Sequence, residues 1–127
     1  AILVAAGAAL AGCVSPPPAP PRHQPVQLTQ EQIAKIHEGV HAALADPQSA
    51  SFGAIYAGRY DANIIGVCGF VNARNRMGGM SGMMPFRGAL MGNGPGQVYR
   101  NHAIVSDHDV AVATVQVCRR AGIMPGG

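Results

Sequence analysis

Apolar residues follow two kinds of spacing along this chain. Ile33, Ile36, Val40, Ala43 and Leu44 recur every three to four positions and predict a helix with one apolar face. Its start is marked by Thr29 and Gln32, a capping box in which each side chain accepts the other's backbone N–H, and Leu28 can staple onto Ile33. Asp46-Pro47 ends it, because the residue before a proline is pushed out of the α region. Phe52–Tyr60 and Ile64–Asn72 read as two strands joined by a turn at Asp61-Ala62-Asn63. Residues 73–96 are rich in Gly and predict a long loop around a short strand near Phe86–Met91. Gln97–Val105 reads as a further strand. Ser106 is the expected cap of a last helix, with Asp109 three positions on and Val110 stapled to Val105. On that helix Val110, Ala111, Thr114, Val117, Cys118 and Ala121 share a face. Arg119 and Arg120 lie near its C-terminus, where the dipole favours cations, and Gly122 stops it. Its valines suit a strand as well. The fold expected is α+β: an N-terminal helix, an antiparallel meander of three to four strands, and a C-terminal helix.

Residues 1–12 break both patterns, being continuously apolar and uncharged. They are too few for a membrane span, which needs roughly 20 residues. They read as the apolar region of a signal peptide whose basic start is missing from this sequence. The run ends in Leu10-Ala11-Gly12-Cys13, which resembles the lipobox of bacterial lipoproteins, Leu-[Ala/Ser]-[Gly/Ala]-Cys. The resemblance implies that the Cys13 thiol takes the lipid and that cleavage leaves Cys13 first. Each buried acyl CH₂ contributes about 0.8 kcal/mol, so several chains hold a protein at a bilayer. Val14, rather than Asp, points to the outer membrane, facing the periplasm. Residues 14–27 hold six of the ten prolines and predict an extended spacer of some 40 Å at about 3.1 Å per residue. The expected organisation is a signal peptide over 1–12, a lipidated Cys and tether over 13–27, a small domain over 28–122 and a tail over 123–127.

Composition narrows the classes. The chain has 127 residues, 48% hydrophobic and 12% charged, which suits one folded domain. Seventeen Gly and ten Pro argue against a helical bundle, and a net charge of +3 is too small and diffuse for nucleic-acid binding. With Cys13 taken by lipid, Cys68 and Cys118 remain. An exported protein sits where disulfides persist, so these two are expected to tie the last helix to the second strand. The chain-entropy model gives roughly 4 kcal/mol for a loop of about 50 residues.

The middle of the chain carries Asp46-Pro47-Gln48-Ser49-Ala50-Ser51-Phe52, then Val67-Cys68-Gly69-Phe70-Val71-Asn72-Ala73-Arg74-Asn75, then Gly78-Gly79-Met80-Ser81-Gly82. This resembles a family of small bacterial envelope proteins with the pattern Asp-Pro-x-Ser-Ala-x-Phe … Cys-Gly-x-Val-Asn-x-x-Asn-x-x-Gly-Gly-[aromatic]-x-Gly. The resemblance spans roughly residues 28–121 and implies a fold and an export route but no chemistry. Met80 stands where the family carries an aromatic. The glycines permit positive φ, and Asn72 and Asn75 can bond loop backbone in Asx-type turns. A Gly-rich loop of this length points to recognition as well as structure. Asn72, Arg74, Asn75, Arg76, Gly78, Gly79, Met80 and Gly82 are the candidate contact residues.

Two strings suggest other chemistry. His37-Glu38-Gly39-Val40-His41 matches the zinc-peptidase string His-Glu-x-x-His, in which two imidazoles one turn apart hold Zn²⁺ and the Glu is the base. A third ligand is needed, and only Asp61, His102, Asp107, His108 and Asp109 could supply it. Met77, Met80, Met83, Met84 and Met91 offer soft thioethers of the kind that suit Cu(I), or flexible apolar filler. Between Ala62 and Ser106 there are four arginines and no acid, so this half of the domain could face an anionic envelope component or an envelope protein. The reading carried forward is a lipid-anchored, non-catalytic binding or envelope-maintenance domain without cofactor. A zinc hydrolase and a copper binder are the alternatives.

Overall fold

The computed structural model describes residues 22–126, together with the isolated positions 2, 7 and 12. Cys13 and its lipid, the signal peptide and the proline spacer up to residue 21 lie outside the described residues. Five strands form one sheet in the order β1-β2-β3-β4-β5, every neighbouring pair antiparallel. They are β1 (Gln24–Pro25), β2 (Ser51–Asp61), β3 (Ile64–Asn72), β4 (Met84–Met91) and β5 (Val98–Ile104), with helices α1 (Gln30–Ala42) and α2 (His108–Arg120). The α+β class and the meander are as the sequence predicts; the two-residue β1 is the addition. Among the described residues no helix is long and apolar enough to cross a membrane.

The two helices cover opposite faces. Side chains alternate along a strand, so Ile65, Val67 and Val71 of β3 point one way and Cys68 the other. Ile36 and Val40 of α1 pack with the first set and with Phe86 and Leu90, all of them buried. Cys118 of α2 packs with Cys68, and Met124 joins them. Strand β3 is therefore buried on both sides from Ile65 to Gly69, which explains its unbroken apolar run.

The chain start and end are drawn into this arrangement. The His23 N–H donates to the Ala121 carbonyl at 2.8 Å, and Gln24 and Pro25 pair with Arg59 and Gly58 at the edge of β2. A proline suits that edge, since it needs no ladder donor there. Ile123 lies over Gly66, and Met124 is buried at 5% exposure. The folded unit thus includes residues 22–25 and 123–124, which the sequence assigns to tether and tail. Neither segment has hydrophobic periodicity of its own, because each contributes one or two side chains to a surface built by others.

Local signals hold at some ends and not at others. The Thr29–Gln32 capping box forms as predicted, with N–H···O distances of 2.9 and 3.1 Å. Helix α1 stops at Ala42, short of Asp46, and Pro47 opens a separate 3₁₀ turn over Pro47–Ser49. The N-cap of α2 is Asp107 rather than Ser106; its carboxylate accepts the Val110 N–H at 3.0 Å. Of the predicted face, Thr114 and Cys118 are buried, while Val110 and Val117, at its two margins, are each 52% exposed. Within the predicted loop over 73–96, the strand expected near Phe86–Met91 is present and two residues longer. Strand β4 begins at Met84, and Arg74 bridges Met80 in the turn ahead of it.

Candidate functional site

The predicted contact loop is the end of the β3–β4 hairpin. Its turn is held by Asn75, whose Oδ1 accepts the Met77 N–H at 3.0 Å and the Gly79 N–H at 3.2 Å. The Asn75 N–H donates to the Gly79 carbonyl at 2.8 Å, and Gly78 N–H to the Asn75 carbonyl at 3.1 Å. Gly78 and Gly82 take φ of 87° and 75°, the region that disfavours any side chain. Gly79 has negative φ; only a loose contact with Asn75 would meet a β-carbon there. Asn75 thus forms the expected Asx-type turn. Asn72 does not: its Oδ1 lies 3.5 Å from the Ser81 hydroxyl, which also accepts the Ala73 N–H at 3.2 Å and donates to the Gly82 carbonyl at 2.7 Å.

The hairpin is joined to the segment before β2. The Ser49 hydroxyl accepts the Arg74 N–H and donates to the Asp46 carbonyl. The Asp-Pro-x-Ser block and the Asn-x-x-Asn block, 25 residues apart at this bond, therefore form one structure. Ser49 and Ser81 are the residues that sequence reasoning left out. Ser49 lies inside a quoted motif, so its position in the pattern was the available signal.

A cleft of about 480 Å³ opens between this hairpin, the end of α1 and the β4–β5 pair. Ala43, Leu44, Ala73, Met84 and Ile104 give it an apolar wall; Arg74, Asn75, Arg76, Ser81 and Ser106 give it polar groups. Met80 lines it at the position where the resembled family has an aromatic. Among the described residues no acid lines this cleft. It can accept an anionic group beside a small apolar one.

His37 and His41 sit elsewhere, on α1 facing Phe52, while Glu38 is exposed on the side of the helix toward Val98 and Tyr99. The His37 ring stacks on Phe52 with centroids 4.0 Å apart, and His41 meets the same ring edge-on at 5.4 Å. Burial against Phe52, and then the neighbouring His41, lowers the His37 pKa below 6.5. Among the described residues no group of three His, Cys, Asp or Glu side chains converges where a metal ion could be held. Asp107 is occupied in capping α2.

The methionines diverge. Met84 packs against the core under α1, whereas Met83 lies over Gly53 beside Phe70, on the α2 side. Met91 pairs with Ile64 and Val98 at the far end of β4. Met77 stands at the hairpin tip, 95% exposed.

Cys68 and Cys118 are joined in a disulfide, as predicted. No family model, curated protein or solved structure matches this chain.

Proposed function

We propose that this chain is a bacterial lipoprotein, fastened by an acyl group on Cys13 to the outer membrane and facing the periplasm. Its domain is a non-catalytic binding module of the small envelope family that its motifs resemble. The contact surface is the hairpin end from Asn72 to Gly82 and the cleft beside it.

The observation that carries this reading is the juxtaposition of Arg74, Asn75 and Arg76 with an apolar wall at Leu44, Met84 and Ile104 in one open cleft. A pocket that combines an apolar surface with a few placed polar groups is the common form of a binding site. The disulfide supports export, because such bonds persist outside the reducing cytosol. The hydrogen-bonded turn supports recognition over mere linkage, since a preordered surface loses less entropy when it binds.

The test has two parts on the full chain. Mass spectrometry of the mature protein is expected to find Cys13 first and acylated; an unmodified or internal Cys13 defeats the anchor. Cross-linking in intact envelopes is expected to capture a partner that Arg74→Ala with Arg76→Ala loses. An unchanged set of cross-links places the contact surface elsewhere.

A further inference from the structure

The hairpin tip carries an apolar side chain that the fold leaves in water. Met77 is 95% exposed. The turn beneath it is not free to tuck that side chain away, because Asn75 fixes the amides on both sides of Gly78. Arg74 and Arg76 flank the tip, and both are exposed. Met80, 51% exposed, pairs with Arg74 on the returning strand and extends the apolar strip. No acid stands between Ala62 and Ser106 to oppose a negative partner.

We propose that this tip is a membrane-contact element, with Met77 entering the interfacial layer of an anionic bilayer and Arg74 and Arg76 lying among its headgroups. The inference deepens the reading above by naming the partner of the same hairpin. A lone exposed apolar side chain is ordinary. What selects a bilayer is the combination of an apolar tip held by its own hydrogen bonds with flanking cations and no acid within the hairpin itself, which complements a surface that is apolar beneath and negative above. Each arginine is worth about fivefold in partition to an anionic surface.

The anchor makes so weak a contact useful. The domain's described chain begins at Arg22, and Gln24 pairs with Arg59, toward the end of the sheet away from the tip. The tip lies roughly 30 Å further along the sheet, at about 3.3 Å per residue. The chain from Cys13 to Arg22 spans at most roughly 30 Å. A domain lying along the bilayer therefore brings its tip to the membrane that holds Cys13. Anchoring turns tip binding into an intramolecular step, in which modest affinity suffices.

The chain contains no Trp, so Met77→Trp places its sole indole at the tip. The full chain is coupled through Cys13 to a maleimide lipid, because Cys68 and Cys118 are tied up in their disulfide. This tests the tip independently of whether the cell acylates Cys13, which the mass spectrum of the mature protein decides. Vesicles are phosphatidylcholine alone, or phosphatidylcholine with phosphatidylglycerol, with brominated acyl chains as quencher. The expected result is blue-shifted, quenched emission in the phosphatidylglycerol vesicles and water-like emission in the neutral ones. Adding Arg74→Gln and Arg76→Gln should weaken the shielded state about 25-fold. Water-like emission in both lipids overturns the proposal. So does equal shielding in both, or shielding that appears only when an envelope protein fraction is added.

Discussion

The Ser49 hydroxyl accepts the backbone N–H of Arg74 at 2.8 Å and passes its own hydrogen to the Asp46 carbonyl at 2.7 Å. Through one side chain, the turn that follows α1 holds the start of the hairpin. Ser49→Ala should therefore loosen the hairpin without unfolding the sheet. A net hydrogen bond of this kind contributes about 1 kcal/mol, so exchange of the Arg74 amide should quicken about fivefold. Amides of β3 from Ile65 to Gly69 should be unaffected. Equal protection of Arg74 in both proteins would show that the bond does not restrain the hairpin.

Helix α2 buries few side chains of its own and is tied to β3 by the Cys68–Cys118 disulfide. Only Thr114 and Cys118 of the helix are buried, and three of its valines face water. Cys68→Ala with Cys118→Ala should cost about 2–5 kcal/mol. The loss should be uneven, with hydrogen exchange rising first over 108–120 while Ile36, Val40 and Leu90 stay protected. Uniform loss across both faces of the sheet would mean that the two cores are one cooperative unit.

Much of this layout was legible in the sequence, for reasons that can be named. Thr29 and Gln32 cap α1 through contacts three residues apart, so a local pattern suffices. Cys68 and Cys118 could be paired because, with Cys13 expected to carry a lipid, no other partner remained. What escaped was set by distant contacts. The centre of the α2 face was set by where Cys118 and Val115 pack against Cys68, Phe70 and Met124, which the helical period alone does not fix. The Asx turn at Asn75 was legible from its residue type, but the role of Ser81 was hidden because it works through backbone bonds, which leave no hydrophobic period. His23 and Ile123 were assigned to flanking segments because their packing surface, the floor at Gly58 and Gly66, exists only once the sheet has formed.

Gly88 and Gly39 make room for one residue, Tyr99. A β-carbon on Gly39 would collide with the Tyr99 ring, and one on Gly88 would collide with the Tyr99 hydroxyl and the Arg100 carbonyl. Burial raises the Tyr99 pKa, and its O–H donates to Asn101 Oδ1 at 2.9 Å. The two glycines should differ in cost. At Gly88 the obstacle includes backbone, which cannot rotate away, so Gly88→Ala should destabilise by about 1–3 kcal/mol. At Gly39 the obstacle is a side chain alone, and alanine gains about 1 kcal/mol of helix propensity. Urea denaturation of both variants checks the order; a Gly39→Ala cost equal to or above that of Gly88→Ala would contradict it.

His37 makes stability depend on pH in a defined direction. Desolvation against Phe52, and next the neighbouring His41, lowers its pKa in the folded state. Between that lowered value and the ordinary value of about 6.5, the unfolded chain binds more protons than the folded one, so stability rises with pH. The contribution is complete above the unfolded value and is lost as pH falls through the folded one. His37→Phe keeps a ring on Phe52 and removes the titration, so the slope of unfolding free energy over this window should flatten. His41→Gln removes only the smaller cause and should move the His37 titration partway back toward the ordinary value, as followed by the imidazole proton shifts. A His37 titration unmoved by His41→Gln would place the whole effect in burial. A slope that survives in His37→Phe would assign it to another group.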